Sequence, residues 1–254
     1  MYKLTTVFFF LTLLLSCNQN EKKPLSAQEI VDKAILKSGK EKLSDAYLSF
    51  EFRNRNYQSL AACGGFSLKR VTRNEKGKII DTYKSDGTLE SYVNDSLRTL
   101  ADSTAFKISE SINSVHYFVQ IPYRLNDNAV QKKYLGLDTL KNKAYHNIEI
   151  TFKKEGGGTD YEDVFYYWFD NENFNLDYLA YSFKVNGGGI RFREAINERR
   201  IEGIRFVDYN NYKPKSKNII LDEVSKAFNS KELELLSTIE NKNIDVKFLD
   251  KKCP

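Results

Sequence analysis

The chain has 254 residues, of which 41% are hydrophobic and 29% charged, with a formal net charge of +5 at pH 7. That is apolar enough to fold and too mixed in sign for a nucleic-acid footprint, since the longest lysine runs are pairs such as Lys132-Lys133. Three cysteines and two histidines, with no CxxC, also speak against a zinc site or any other metal centre.

The N-terminus opens with Lys3, continues through an apolar run from Val7 to Leu15, and reaches Leu14-Leu15-Ser16-Cys17. A charged start, a short apolar core and a small residue before the cut describe a signal peptide over residues 1–16. The run is shorter than the ~20 residues that span a membrane. Leu14-Leu15-Ser16-Cys17 resembles the lipobox of bacterial lipoproteins. The resemblance implies acylation of Cys17, which becomes the mature N-terminus and the membrane anchor. Asn18 follows, where the inner-membrane retention signal has Asp, so the expected address is the outer membrane, facing the periplasm. Residues 17–25 then serve as a lipidated tether. Cys63 and Cys253 remain as a candidate disulfide in an oxidising compartment, with two separate thiols as the alternative.

Ser26 and Glu29 have the spacing of a capping box, and Ile30, Val31, Ala34 and Ile35 form a stripe at helical period ending at Gly39. After Ser44 the period changes to two: Leu48, Phe50 and Phe52, then Phe66 and Leu68, alternate with polar residues. Asn74 to Gly77, Ser85-Asp86-Gly87 and Asn94-Asp95 supply hairpin turns.

Ile108, Ile112, Val115 and Val119 restore helical spacing between Thr104 and Gln120, with Asp102 or Ser103 as cap and Pro122 as stop. Strands resume at Ile148, Ile150 and Phe152, then at 164–169, 176–185, 190–195 and 200–207. Leu221, Val224 and Phe228 mark a short third helix, and Ile244, Val246 and Phe248 a last strand. The expected fold is α+β and mainly β. It is a single antiparallel sheet of about 10–11 strands, curved into an open half-barrel with about three helices on one face, all within one domain at residues 26–254.

No cofactor motif is present. The glycine triplets at 156–158 and 187–189 lack the lysine of a phosphate loop and read as turns. His116 and His146 have no partner at metal spacing and read as structural. The carboxylates Asp160, Glu162, Asp163, Asp170, Glu172 and Asp177 crowd the two ends of one hairpin and read as solvated turns. A hydrolase built on these groups is the least favoured function. Arg191 and Arg193 share one strand face; they either pair with Glu51, Glu149 or Glu202 across strands or meet an anionic head group.

The aromatic load of 17 Phe, 16 Tyr and 1 Trp is the more useful signal. These rings either fill the core or leave part of a concave face open as an apolar cavity. Phe50, Phe52, Phe66, Tyr166, Trp168, Tyr181 and Phe183 are the candidate lining. The order of helix, meander, helix and meander resembles the LolA/LolB group of periplasmic lipoprotein carriers, which implies an open barrel with helices as a lid over an apolar cavity. Val115 to Phe118 with Pro122, Tyr166 to Asp170, Leu179-Ala180-Tyr181 and Gly189 to Ala195 resemble an uncharacterised family of Bacteroidetes lipoproteins. The expected function is binding of a lipid or other apolar ligand at the membrane, without nucleic acid or covalent chemistry. The alternative is an envelope interaction lipoprotein with a filled core and a protein partner.

Overall fold

A computed structural model describes residues 24–75, 77–156, 161–184 and 187–250. The signal peptide, Cys17, most of the tether, Asp160, two glycines of the first triplet and Cys253 lie outside the described residues.

The first helix, α1 (Ala27–Ser38), starts as its sequence dictates. The Ser26 side chain accepts from the Glu29 N–H at 3.2 Å, while Glu29 accepts from the Ser26 N–H at 2.8 Å. Gly39 ends it in the left-handed region at φ +69°. A Cβ there would lie 2.5 Å from the Gly203 carbonyl oxygen, so the position takes glycine on two counts.

Six strands follow: β1 (Ala46–Phe52), β2 (Arg55–Ala62), β3 (Gly65–Asn74), β4 (Gly77–Lys84), β5 (Leu89–Val93) and β6 (Ser96–Leu97). Helix α2 (Asp102–Gln120) interrupts them, and β7 (Val130–Leu140), β8 (Lys143–Phe152), β9 (Val164–Asp170), β10 (Leu176–Phe183), β11 (Gly189–Ile201) and β12 (Ile204–Pro214) form the second run. The chain closes with α3 (Val224–Asn229), β13 (Leu233–Ile239) and β14 (Lys242–Phe248).

The strands form two antiparallel sheets rather than one. Their orders are β14-β1-β2-β3-β4-β5-β6 and β13-β12-β11-β10-β9-β8-β7. The break falls between β13 and β14, which are consecutive in the chain. The reason is local. At the step between them, the Asn241 N–H donates to the Asp208 carboxylate at 2.9 Å, and its carbonyl accepts from Arg199. Side chains thus occupy backbone groups that would otherwise extend a ladder. Arg199 and Asn197 both reach Asp208, because a bulge between Ile196 and Arg199 in β11 turns them to it. That bulge is why the alternation expected over 190–207 is interrupted.

The helices do not share one face. Strand β9 places Phe165, Tyr167 and Phe169 on one side, in a core with α1. Tyr166 and Trp168 point to the other side, in a second core with Val224 and Ala227 of α3. A third core joins Leu48 and Phe50 of β1 and Tyr57 of β2 to Val119 of α2 and Phe206 of β12, so it bridges the two sheets. Helix α2 buries Ile112, His116 and Val119 along one stripe. Its N-terminus has Ala101 at the cap position with no side-chain cap, so neither Asp102 nor Ser103 plays the expected part. At its C-terminal end, buried Lys40 donates to the Val119 carbonyl at 2.5 Å, and burial holds the Lys40 pKa well below its ordinary value.

Candidate ligand cavity

The inner face of the second sheet and the C-terminal half of α2 line a cavity of about 490 Å³ that opens to solvent on one side. That lies within the range of about 300–1,000 Å³ typical of small-molecule sites. Five aromatic side chains form a closed ring of contacts around it. Tyr117 touches Phe152 at 6.2 Å between centroids, Phe152 touches Phe165 at 5.7 Å, and Phe165 stacks on Tyr181 at 5.2 Å. Tyr181 meets Phe118 at 5.9 Å, and Phe118 returns to Tyr117 at 5.5 Å. The strand residues come together because Phe152, Phe165 and Tyr181 lie on adjacent strands with Phe165 directly opposite Tyr181. Tyr117 and Phe118 close the ring from the helix.

The polar part of the wall comes from β11. Arg191 lies opposite Tyr181 and Arg193 opposite Leu179, so both project onto the cavity face while Phe192 turns to the α3 core. Arg193 is only 8% exposed. Its guanidinium sits 3.9 Å over the Phe118 ring centre and donates to the Tyr181 hydroxyl at 3.1 Å. Arg191 stacks at 4.9 Å over Phe183 and donates to the neighbouring Ile190 carbonyl. Neither arginine pairs with Glu51, Glu149 or Glu202, in contrast to the cross-strand pairing weighed from sequence. Glu51 instead accepts from Asn243, and Glu149 faces Lys133. Tyr209, buried on the same wall, has its phenol pushed up to about 12 by desolvation.

Of the seven aromatic residues expected to line a cavity, Phe52, Tyr181 and Phe183 do so. Phe50 is packed beneath α2, stacked on Tyr57 at 5.4 Å and edge-on to His116. Phe66 meets Tyr83 on the first sheet. Tyr166 and Trp168 occupy the α3 core on the opposite face, where Trp168 Nε1 donates to Asp138. Sequence reasoning missed Tyr117, Phe118, Phe152, Phe165 and Tyr209. The signal for the first two was the aromatic pair breaking the polar side of the α2 pattern.

The titratable groups considered for catalysis are spoken for singly. His116 is fully buried, with Nε2 at 3.5 Å from the Lys69 carbonyl oxygen and its pKa lowered to about 3 by desolvation. His146 Nδ1 meets the Tyr134 hydroxyl at 3.0 Å, and its ring stacks on Phe174. Asp170 caps the turn after β9 by accepting from the N–H groups of Glu172 and Asn173, and pairs with Lys143. Asp177 pairs with Arg205, and Glu162 with Lys184. Asp163 lines the cavity. Among the described residues no cluster of three or more His, Cys, Asp or Glu side chains is placed to hold a metal ion.

Two antiparallel sheets flanked by helices around an internal aromatic-walled hollow define a β-rich protein of LolA-like fold. A LolA superfamily protein from Nitrosomonas europaea has a similar structure, with a TM-score of 0.50 at 13% identity over 90% of this chain and 96% of that one. A DUF1329 family protein from Desulfovibrio piger aligns over 90% of this chain and 95% of its own, at 12% identity and a TM-score of 0.43. By sequence, the chain belongs to a family of unknown function, DUF6503, whose model matches residues 3–241. No curated protein matches it. Among the described residues, no helix is long and apolar enough to cross a membrane.

Proposed function

We propose that this protein is an outer-membrane lipoprotein, anchored through acylated Cys17 on the periplasmic side, that binds a lipid or other apolar group in its cavity. The aromatic ring around a hollow of about 490 Å³ carries the reading. The cavity opens to solvent on one side, so its aromatic wall meets water, and an apolar ligand would take that surface out of water. The fold shared with a LolA superfamily protein is in keeping with this reading. Binding requires no cofactor and no covalent step.

Native mass spectrometry of the protein extracted from membranes tests the reading. The expected result is a bound mass, released on denaturation, of an amphiphile. An empty protein that also takes up no added amphiphile would overturn it.

A further inference from the structure

We infer that Arg193 is the head-group site of the cavity and that the ligand is an amphiphile with an acidic head, a carboxylate or a phosphate monoester, drawn into the cavity. This rests on the cavity-binding reading above and specifies its ligand class.

Arginine stays protonated in proteins, so burying it costs solvation that a counter-charge or dense hydrogen bonding must offset. Arg193 is 8% exposed and has no carboxylate within ion-pair distance among the described residues. Among the described residues its buried Nε has no hydrogen-bond partner. One terminal nitrogen, Nη2, donates to Tyr181 at 3.1 Å, and Nη1 makes no hydrogen bond among the described residues. Other buried and half-buried arginines are treated differently. Arg205, 7% exposed, is saturated by Glu198, Asp177 and the Leu176 carbonyl. Arg70 is held by buried Asp81 at 2.8 Å. Arg124, also on the cavity wall, is paired with Asp127 at 2.5 Å. Arg193 alone of these four keeps its charge uncompensated, and it does so on the wall of the hollow.

Arg193 itself favours an anionic head, on a wall that also carries Glu110, Asp127 and Asp163. The guanidinium plane is held by Phe118 on one side and by Tyr181, 5.3 Å from that ring centre, on another. Its fork is thereby fixed, which suits two acceptor oxygens at once. Tyr181 accepts from Arg193 and keeps its own proton to donate to the same head. Arg191, two residues along the strand face and likewise without a carboxylate partner, adds a second positive charge on the same wall. Because Arg193 is buried, the head must enter the protein to meet it. The aromatic ring then takes the chain.

The test compares three ligands with one chain and different heads: hexadecanoate, monohexadecyl phosphate and hexadecan-1-ol. Each is titrated, below micelle-forming concentrations, into the full chain freed of bound lipid. The expected result is that at least one acid binds tenfold or more tightly than the alcohol, a difference of about 1.4 kcal/mol. Whichever acid binds tighter identifies the source, a free fatty acid or a lysophospholipid-type monoester. In Arg193→Met that preference is expected to vanish, with the alcohol's affinity held within about threefold. If Arg193→Met does not fold, Tyr181→Phe serves in its place and is expected to lower the acid preference severalfold. Equal binding of acid and alcohol by the native protein overturns the head-group site but leaves the cavity reading standing. Binding of none of the three overturns both. An acid preference that survives in the variants removes the assignment to Arg193.

Discussion

The hydroxyl of Tyr117 on α2 lies 3.0 Å from the hydroxyl of Tyr167 on β9. It is a polar latch between helix and sheet beside the aromatic ring, and Tyr167 is fully buried. Burial raises both phenol pKa values, so each hydroxyl stays neutral and can donate. Tyr117→Phe leaves the Tyr167 hydroxyl without its partner and is expected to destabilise the protein by about 1–2 kcal/mol. The double change Tyr117→Phe with Tyr167→Phe should cost clearly less than the two single changes added, since it removes both polar groups together. Urea midpoints of the four proteins measure this. Simple additivity would mean that the two hydroxyls do not interact.

A second expectation concerns acid. His116 is neutral in the folded protein, with its pKa lowered from 6.5 to about 3. Between those values the unfolded chain binds a proton that the native protein refuses, so stability is intact above pH 7 and falls as pH drops toward 3. At pH 4.5 the loss from this one group is about 2–3 kcal/mol. His116→Phe keeps a ring against Phe50 and Tyr57 and should flatten that part of the acid limb. Unfolding midpoints of the two proteins at pH 7 and pH 4.5 decide it. Parallel pH profiles would show that His116 is not the group responsible.

How far the residues announced this structure varies by element. The ends of α1 were readable because Ser26, Glu29 and Gly39 act on their own neighbours. So were α2, from its 3.6 period, and β9, which was expected over 164–169 and runs to Asp170. Strand β7 was not, because a bulge near Gly136 shifts its register and, at a sheet edge, leaves Leu137 61% exposed. The split into two sheets was also hidden. It turns on Asp208 and Arg199 of one hairpin meeting Asn241 some way along the chain, a meeting with no periodic signature. The cavity was half legible for one reason: β9 and β10 are apolar on both faces. Alternation shows that Tyr166 and Phe165 face opposite ways. It does not show which way is hollow, and only the docking of α3 settles that.

A third prediction follows from register. Cys63 is disulfide-bonded, and both other cysteines lie outside the described residues. Ala46 of β1 is flanked by Ala61 of β2 on one side and Phe248 of β14 on the other. The Cys63 turn and the end of β14 are therefore at one end of the first sheet, with Cys253 five residues past Phe248. We propose the bridge Cys63–Cys253. Non-reducing peptide mapping should recover that pair, and Cys63→Ser should cost about 3–5 kcal/mol by the chain-entropy model for so long a loop. Two free alkylatable thiols in the isolated protein would sink the proposal.

The anchor has its own check. Cys17→Ser removes the acylation site and should move the protein from the membrane fraction to the soluble periplasmic fraction. Unchanged sedimentation with membranes would show that something other than an acyl chain at Cys17 holds it.

The seam between the sheets has a mechanical meaning. Because β13 and β14 share no ladder, the sheets are joined there by the Asp208–Arg199–Asn241 cluster and the bridging core, much as two boards are joined along a spine. A change of angle at that spine would have to repack the bridging core, where Leu48, Phe50 and Ile204 are buried, and would leave every strand pairing as it is.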